Sequence, residues 1–331
     1  MAEAGETIAA SAHAATAHLA SGYGRRVRYS NRYGAGMETT TTPNKRDLSR
    51  VAIQVGLFVV VYFFLFGFIC APLFRWALQE FAGPTTAVLV SAGFASWLCL
   101  RAFEDLPIAA LGLWWNRASA DNLAAGLAGG IGAACVVLVP PLVLGVAHLQ
   151  FTGPFSWSGM AFTTVFLIVG AMGEELLCRG YAFQVLMSRL GAFATVLPMG
   201  VLFGLLHTGN PYATWFGIAN TAGFGIVFGY AYVRSRDLWL PIGLHFGWNF
   251  TLPLFGANLS GIKMINEVTG HRMVWTAGDF WSGGEYGPEA SVLTSAVLLA
   301  IFAFLWRAPI RRQESPLTDP PKETVCEPSR P

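Results

Sequence analysis

The chain of 331 residues contains little charge. Only 12% of its residues are Asp, Glu, Lys or Arg, about half the share found in soluble globular domains. The formal net charge is only +2, and no dense basic patch lies among aromatic residues, so no nucleic-acid partner is expected. The five cysteines form no C-x-x-C pair, which argues against a disulfide framework and against a thiolate metal site.

Apolar residues are abundant instead. They make up 54% of the chain, and the mean hydropathy is +0.50. A membrane-spanning helix needs about 20 apolar residues, and eight runs approach or exceed that length: 51–74, 84–100, 122–147, 157–190, 192–209, 213–233, 238–256 and 290–306. The sequence therefore predicts an all-α, polytopic integral membrane protein with about eight transmembrane helices. The run 157–190 is too long for one span, so we expect it to tilt, to break near Gly180 or to emerge at the interface.

Four segments are predicted from these patterns. Residues 1–50 are polar and small and form a disordered segment. Residues 51–150 form helices one to three, residues 151–306 form a helical core, and residues 307–331 form a disordered tail. Basic residues are concentrated in alternate loops, which places both termini in the cytoplasm by the positive-inside rule. We expect the protein in a bacterial inner membrane.

Three polar motifs interrupt the apolar second half of the chain: Glu174-Glu175 with Arg179, Phe203 with His207, and His245 with Asn249. Charged groups near the bilayer centre cost at least about 2.5–3.5 kcal/mol, so their presence indicates function. Glu175 and Arg179 are four residues apart, the spacing at which the two side chains meet on one helical face. That pairing would leave Glu174 freer to accept a proton.

Each motif also has a structural interpretation. The acidic pair and its arginine could solvate a helix end at the membrane surface, and a single histidine at a helix end is often a packing residue. His245 and Asn249 could form an interhelical hydrogen bond, as polar residues commonly do in membranes. Two carboxylates, two imidazoles and a carboxamide together, however, can activate water and stabilise an oxyanion. They also resemble a metal shell of His207, His245 and Glu174, which makes zinc the predicted cofactor.

Motifs of other intramembrane hydrolases are missing from the sequence. It has no H-E-x-x-H, no serine nucleophile turn, and no paired Tyr-Asp and Gly-x-Gly-Asp motifs. A serine or aspartyl mechanism is therefore not expected.

The order and spacing of the three motifs resemble the CPBP (Abi, CAAX-protease-like) intramembrane proteases. The resemblance covers about residues 155–300, and the segment 283–289 (GGEYGPE) also looks like bacterial members. It implies a helical fold around a polar cavity, with Glu174 as the base and with His207 and His245 positioning water or metal. It further implies Asn249 as the oxyanion donor. We include Glu175 among the catalytic residues, with Arg179 and Phe203 in support.

The resulting expectation is an endopeptidase that cuts a membrane protein or a lipidated, CAAX-like peptide within the bilayer. The alternative is a non-proteolytic transporter, or an immunity or scaffold protein, that uses the same cavity for binding. Transporters often show repeats in matching halves. Here every polar motif lies in the second half, which favours the enzyme.

Overall fold

The computed structural model describes residues 45–263 and 268–319. The described residues form nine long helices and one short two-stranded sheet. The helices are α1 (Lys45–Phe64), α2 (Ala71–Cys99), α3 (Arg117–Val143), α4 (Trp157–Arg179), α5 (Tyr181–Leu190), α6 (Ala192–Leu205), α7 (Trp215–Ser235), α8 (Trp239–Leu254) and α9 (Val292–Arg307). The strands are β1 (Ala147–Phe151) and β2 (His271–Trp275).

The predicted class, a largely helical polytopic membrane protein, is confirmed. A π-helical stretch, Leu65–Cys70, joins α1 to α2, and α2 is kinked at Gln79. Five helical segments in the described residues are long and apolar enough to cross a membrane: Leu48–Gln79, Ala82–Glu104, Arg117–Val143, Trp157–Leu190 and Trp215–Ser235. Helices α6 and α9 are apolar but shorter. The number of eight spans stays a prediction, although each of the eight apolar runs contains a helix.

The long run 157–190 breaks at Gly180, one of the three outcomes expected for it. Helix α4 ends at Arg179, and α5 begins at Tyr181. A Cβ atom at position 180 would collide with the carbonyl oxygen of Leu176, so glycine is required there. The break places the Glu174-Glu175 motif in the last two turns of α4.

Helices α3 and α8 pack backbone to backbone through two glycine pairs. Gly126 and Gly130 lie one turn apart on α3, and Gly243 and Gly247 lie one turn apart on α8. A Cβ at Gly243 would lie 2.6 Å from the carbonyl oxygen of Leu123, and those at Gly126 and Gly130 would also meet backbone carbonyls of α8. Small residues at this spacing allow membrane helices to approach closely. The contact fixes the segment of α8 that carries the second histidine motif.

The sheet was not predicted. Strands β1 and β2 pair antiparallel, with Ala147 opposite Trp275 and Phe151 opposite His271. Both segments were assigned to loops between helices, because they are short and lie more than 100 residues apart in sequence. The sheet joins the loop after α3 to the loop after α8.

The segment after α9 is ordered at its start. Asn122 on α3 donates to the carbonyl oxygen of Arg311 at 2.8 Å and accepts from the Arg311 amide at 2.9 Å. The Gln313 amide donates to the carbonyl oxygen of Ser235 at 2.8 Å, and its side chain donates to buried Asp237. The prediction of disorder from residue 307 therefore needs correction up to Asp319, because these bonds hold the segment on the helix ends. Residues 320–331 lie outside the described residues.

The predicted N-terminal disordered segment lies almost wholly outside the described residues. Only positions 45–50 of it are described, and they form the start of α1.

Candidate active site

The Glu175–Arg179 pair is buried at the centre of the site. Nη1 of Arg179 lies 3.2 Å from Oε1 of Glu175, and neither side chain is exposed. Nη2 of Arg179 donates to the carbonyl oxygen of Gly225 on α7 at 2.6 Å. The guanidinium group also lies 4.8 Å from the ring centroid of Phe203, within range of a cation–π contact. The spacing-based pairing of these two residues is thus present, and it connects α4 to α6 and α7.

His245 is held by Glu175. Its Nδ1 lies 2.9 Å from Oε1 of Glu175, and its ring stacks on Phe228 with centroids 4.9 Å apart. Since Glu175 is paired with Arg179, its carboxylate accepts the hydrogen on Nδ1 of His245. The Nε2 atom of His245 then keeps a lone pair that does not face Glu175. That nitrogen lies 3.8 Å from Oε2 of Glu174.

His207 approaches Glu174 from a different element. It lies in the turn after α6, and its Nε2 is 3.9 Å from Oε2 of Glu174. Its Nδ1 lies 2.8 Å from the carbonyl oxygen of Phe203. Because a carbonyl can only accept, Nδ1 must carry the hydrogen, and Nε2 is left with a lone pair. Both imidazoles therefore present Nε2 to the same carboxylate oxygen.

Oε2 of Glu174 makes no hydrogen bond with any described residue. Its distances to the two Nε2 atoms exceed a hydrogen bond, and Oε2 itself is buried although other atoms of the side chain are exposed. The Glu174 side chain is 35% exposed, whereas that of Glu175 is fully buried. The two adjacent glutamates thus occupy opposite kinds of environment.

Glu174, His207 and His245 border one cavity of about 710 Å³. Asn249, one turn after His245, is half-buried and lines the same cavity. The remaining wall is largely apolar and includes side chains from α1, α4, α6 and α7, among them Phe58, Tyr62, Phe66, Phe166, Leu202 and Phe228. The structure therefore brings every predicted site residue to this cavity or its immediate support.

A zinc site formed by His207, His245 and Glu174 would require a defined geometry. Tetrahedral zinc with ligands at 2.0–2.1 Å places neighbouring donor atoms about 3.3 Å apart. The donor types suit zinc, but the two nitrogen–oxygen distances of 3.8 and 3.9 Å are longer than this. In the part of the chain that the structure describes, no group of three His, Cys, Asp or Glu residues is arranged to hold a metal ion. The residues as arranged do not fit a zinc shell.

One carboxylate of the cavity was not selected from the sequence. Glu289, just before α9, is 5% exposed and lines the cavity. In the sequence, segment 283–289 stands out only by its likeness to bacterial members of the family. A glutamate in a glycine-rich loop ordinarily lies in solvent, so Glu289 was not selected. The glycines at 283, 284 and 287 were the sequence feature that could have indicated a buried Glu289. Each has positive φ and shapes the loop that turns Glu289 inward.

Comparisons with known proteins agree with the family resemblance of the three motifs. Residues 155–251 match the family model described as Rce1-like, type II CAAX prenyl endopeptidase. No curated protein and no solved structure gives a significant match. The matched segment spans α4 to α8 and contains all seven predicted site residues. The match confirms, for residues 155–251, the CAAX-protease-like family predicted from the motifs.

Proposed function

We propose that this protein is an intramembrane endopeptidase that hydrolyses a peptide bond of a membrane-associated protein with water activated by Glu174. The observation that carries the proposal is the convergence of three groups: Oε2 of Glu174 with Nε2 of His207 and Nε2 of His245, at 3.9 and 3.8 Å. The family match supports the same reaction class.

The proposed reaction begins with a water molecule that donates to Glu174 and to an imidazole Nε2. Glu174 removes a proton as the water oxygen attacks the scissile carbonyl carbon. The side-chain amide of Asn249 donates to the developing oxyanion. His245 keeps its orientation through Glu175, and Arg179 holds the Glu175 carboxylate in place, so the buried pair acts as a support for the imidazole.

The cavity also favours a class of substrate. Apolar side chains of α1, α4 and α6 continue its wall beyond the polar groups, so an apolar chain can lie beside Glu174 without unpaired polar contacts. A lipidated peptide that ends in a CAAX-like sequence meets this requirement, and we propose it as the substrate class.

Zinc remains a prediction. If zinc binds, His207, His245 and Glu174 would have to lie about 0.5 Å closer together than they do in the structure. Elemental analysis of the purified protein should then find one zinc per chain, and the zinc should be lost in His207→Ala and in His245→Ala. Metal-free protein with full activity after exhaustive chelation would rule the zinc version out and leave a glutamate–histidine hydrolase.

The function is tested by comparing membranes that contain wild type or Glu174→Gln. We expect peptides released only by wild type, and a purified variant that cuts an S-farnesyl-cysteine peptide about 10²–10⁴ times more slowly. Glu285→Gln is the matched control, because Glu285 pairs with Lys263 at the surface with 60% of its side chain exposed. Identical peptide release by wild type and Glu174→Gln would favour the non-proteolytic alternative, a transporter or scaffold.

A further inference from the structure

Glu289 is the most firmly positioned acid of the cavity. Its Oε2 accepts from the Ser260 amide at 2.6 Å and lies 2.7 Å from the Ser260 hydroxyl. Its Oε1 accepts from Nε1 of Trp248 at 3.3 Å. Trp248 belongs to α8 and directly precedes Asn249, so the helix that carries the second histidine motif also holds Glu289.

The backbone around Glu289 is fixed as well. Asn220 on α7 donates to the carbonyl oxygens of Glu289 and Ser291, at 2.8 and 3.0 Å. Gly287 has φ of +104°, and a Cβ there would collide with the carbonyl oxygen of Asn258. A side chain at this position would therefore push the loop, and Glu289 with it, out of place.

Glu289 also lacks a cationic partner. Within the described residues it forms no ion pair, although nearly all of its surface is buried. Burial raises the pKa of its carboxyl, while hydrogen bonds from Ser260 oppose that rise, as would a positive charge on nearby His207 when that ring is protonated. A buried carboxyl without a cation favours its neutral, protonated form. Glu174 and Glu289 thus border one cavity in contrasting environments, which is the pattern of an acid–base pair.

We propose that Glu289 is a second catalytic carboxyl of this site and donates the proton that the leaving amine requires. The inference rests on the proposed function, since it concerns the second half of the same hydrolysis. It assigns the two halves of the reaction to two different glutamates on two different elements.

The proton balance closes without another reactant. Glu174 takes one proton from water as the carbon–oxygen bond forms. The carbon–nitrogen bond then breaks, and the nitrogen keeps the electron pair and takes the carboxyl proton of Glu289. The proton held by Glu174 returns Glu289 to its acid form. The sum is one peptide bond and one water converted to one carboxylic acid and one amine.

The test compares two substrates that differ only in the leaving group. One is an S-farnesyl-cysteine peptide with a normal scissile amide, and the other has a thioester at the same bond. A thiolate leaves without a proton far more readily than an amide nitrogen does, because thiols have pKa near 8.5. Purified wild type, Glu289→Gln, Glu174→Gln and Glu285→Gln are each assayed with both substrates, and their thermal unfolding is recorded.

For Glu289→Gln we expect kcat on the amide to fall about 10²–10⁴-fold. On the thioester we expect a fall of less than about tenfold, with KM nearly unchanged on both. Glu174→Gln should be slow on both substrates, since water attack is needed in each. Glu285→Gln should match wild type.

Equal losses on amide and thioester in Glu289→Gln, or no loss on either, would overturn the acid role while wild-type activity still supports the proposed function. If wild type cuts neither substrate, the proposed function fails and the inference fails with it. If Glu289→Gln does not fold, Ser260→Ala decides. It removes one hydrogen bond that positions Oε2 and opposes its protonation, so the ratio of the amide rate to the thioester rate should change, and an unchanged ratio would contradict the proposal.

Discussion

At the scale of single residues, two Arg–carboxylate pairs of this chain can be compared directly. Glu175 and Arg179 lie on α4, whereas Arg101 lies on the π-helical stretch Leu100–Glu104 and Asp105 directly follows it. Both pairs are four residues apart and have a nitrogen–oxygen distance of 3.2 Å. The first pair is fully buried, whereas the side chains of Arg101 and Asp105 are 53% and 91% exposed. Removing one partner of a buried pair leaves an unpaired charge away from water, and an exposed pair has no such penalty.

We therefore predict unequal effects of the same substitution. Arg179→Ala should lower the free energy of unfolding by about 3–5 kcal/mol, and Arg101→Ala should lower it by less than about 1 kcal/mol. Denaturation of the purified variants in detergent measures both values. Comparable losses in the two variants would mean that Glu175 finds another partner or a proton when Arg179 is removed.

The two site histidines should share one tautomer. The carbonyl oxygen of Phe203 and the carboxylate of Glu175 each face an Nδ1 atom, at 2.8 and 2.9 Å, so both neutral rings should carry the hydrogen on Nδ1. Nitrogen-15 NMR of histidine-labelled protein checks this, with His207→Gln and His245→Gln as assignment controls. A hydrogen on Nε2 of either neutral ring would contradict the proposed acceptance of water hydrogen bonds.

The site residues differed in how readily the sequence revealed them. Glu174, His207 and His245 stand out because each interrupts an apolar helix, where a polar group is costly. Glu289 does not stand out, since it acquires its burial only when the loop before α9 folds onto Trp248 and Ser260. Sequence reveals a polar residue in an apolar helix, but it does not reveal a polar residue that the tertiary fold buries.

At the scale of elements, the α3–α8 contact sets where His245 can lie. A Cβ at Gly130 would meet the carbonyl oxygen of Leu244, which directly precedes His245. Gly132, two residues further along α3, is exposed, and a Cβ added there would have no other atom within 4 Å. The same added methyl group therefore meets backbone at one position and open space at the other.

We predict effects of opposite sign from Gly130→Ala and Gly132→Ala. Overpacking should make Gly130→Ala less stable by about 1–3 kcal/mol. It should also lower activity, because a displacement of about 1 Å in a catalytic group can cost on the order of 100-fold. Gly132→Ala should be as active as wild type and more stable by up to about 1 kcal/mol, from helix propensity alone. Thermal unfolding and peptide cleavage measure the two effects, and loss of activity in Gly132→Ala would contradict this account.

The elements were predictable where length and hydropathy determine them. The eight apolar runs and the break at Gly180 follow from local sequence, because a buried helix must satisfy its own backbone in lipid. Glu174 and His207 approach each other although the short helix α5 separates α4, which ends at Arg179, from α6, which ends at Leu205. The lengths of the apolar runs do not predict this contact. The β1–β2 pairing depends on contacts distant in sequence, which local patterns do not contain.

At the scale of the whole molecule, the described loops fall into two groups by their contacts. One group joins the α2–α3 loop, the α7–α8 turn and the segment after α9, through bonds such as Leu238 to Gly112 and Gln313 to Ser235. The other joins the loops after α3, α6 and α8, through bonds such as Thr152 to Gly270 and Asn210 to Ser260. Seven basic residues lie in or near the first group (Arg101, Arg117, Arg234, Arg236, Arg307, Arg311 and Arg312), whereas the described loops of the second group contain Lys263 and Arg272.

We predict that the first group faces the cytoplasm, because basic loops are retained on that side. Reporter fusions after residues 150 and 210 should report an external position, and a fusion at the C-terminus should report an internal one. Lys263 and Arg272 are basic residues of the second group and would favour the opposite orientation. Their substitution should leave the orientation unchanged. An external C-terminal reporter would reverse the proposed topology.

The hydrogen bonds between Asn122 and Arg311 connect residues 189 positions apart in sequence. The ribosome synthesises the chain from its N-terminal end, so α3 is made long before the segment that binds it. Glu289 and the segment that holds the helix ends are likewise among the last described residues to be made. Under the proposed function, the chain would thus stay inactive during biosynthesis, because a nascent chain halted before Glu289 would have all three polar motifs but neither Glu289 nor the segment that holds the helix ends.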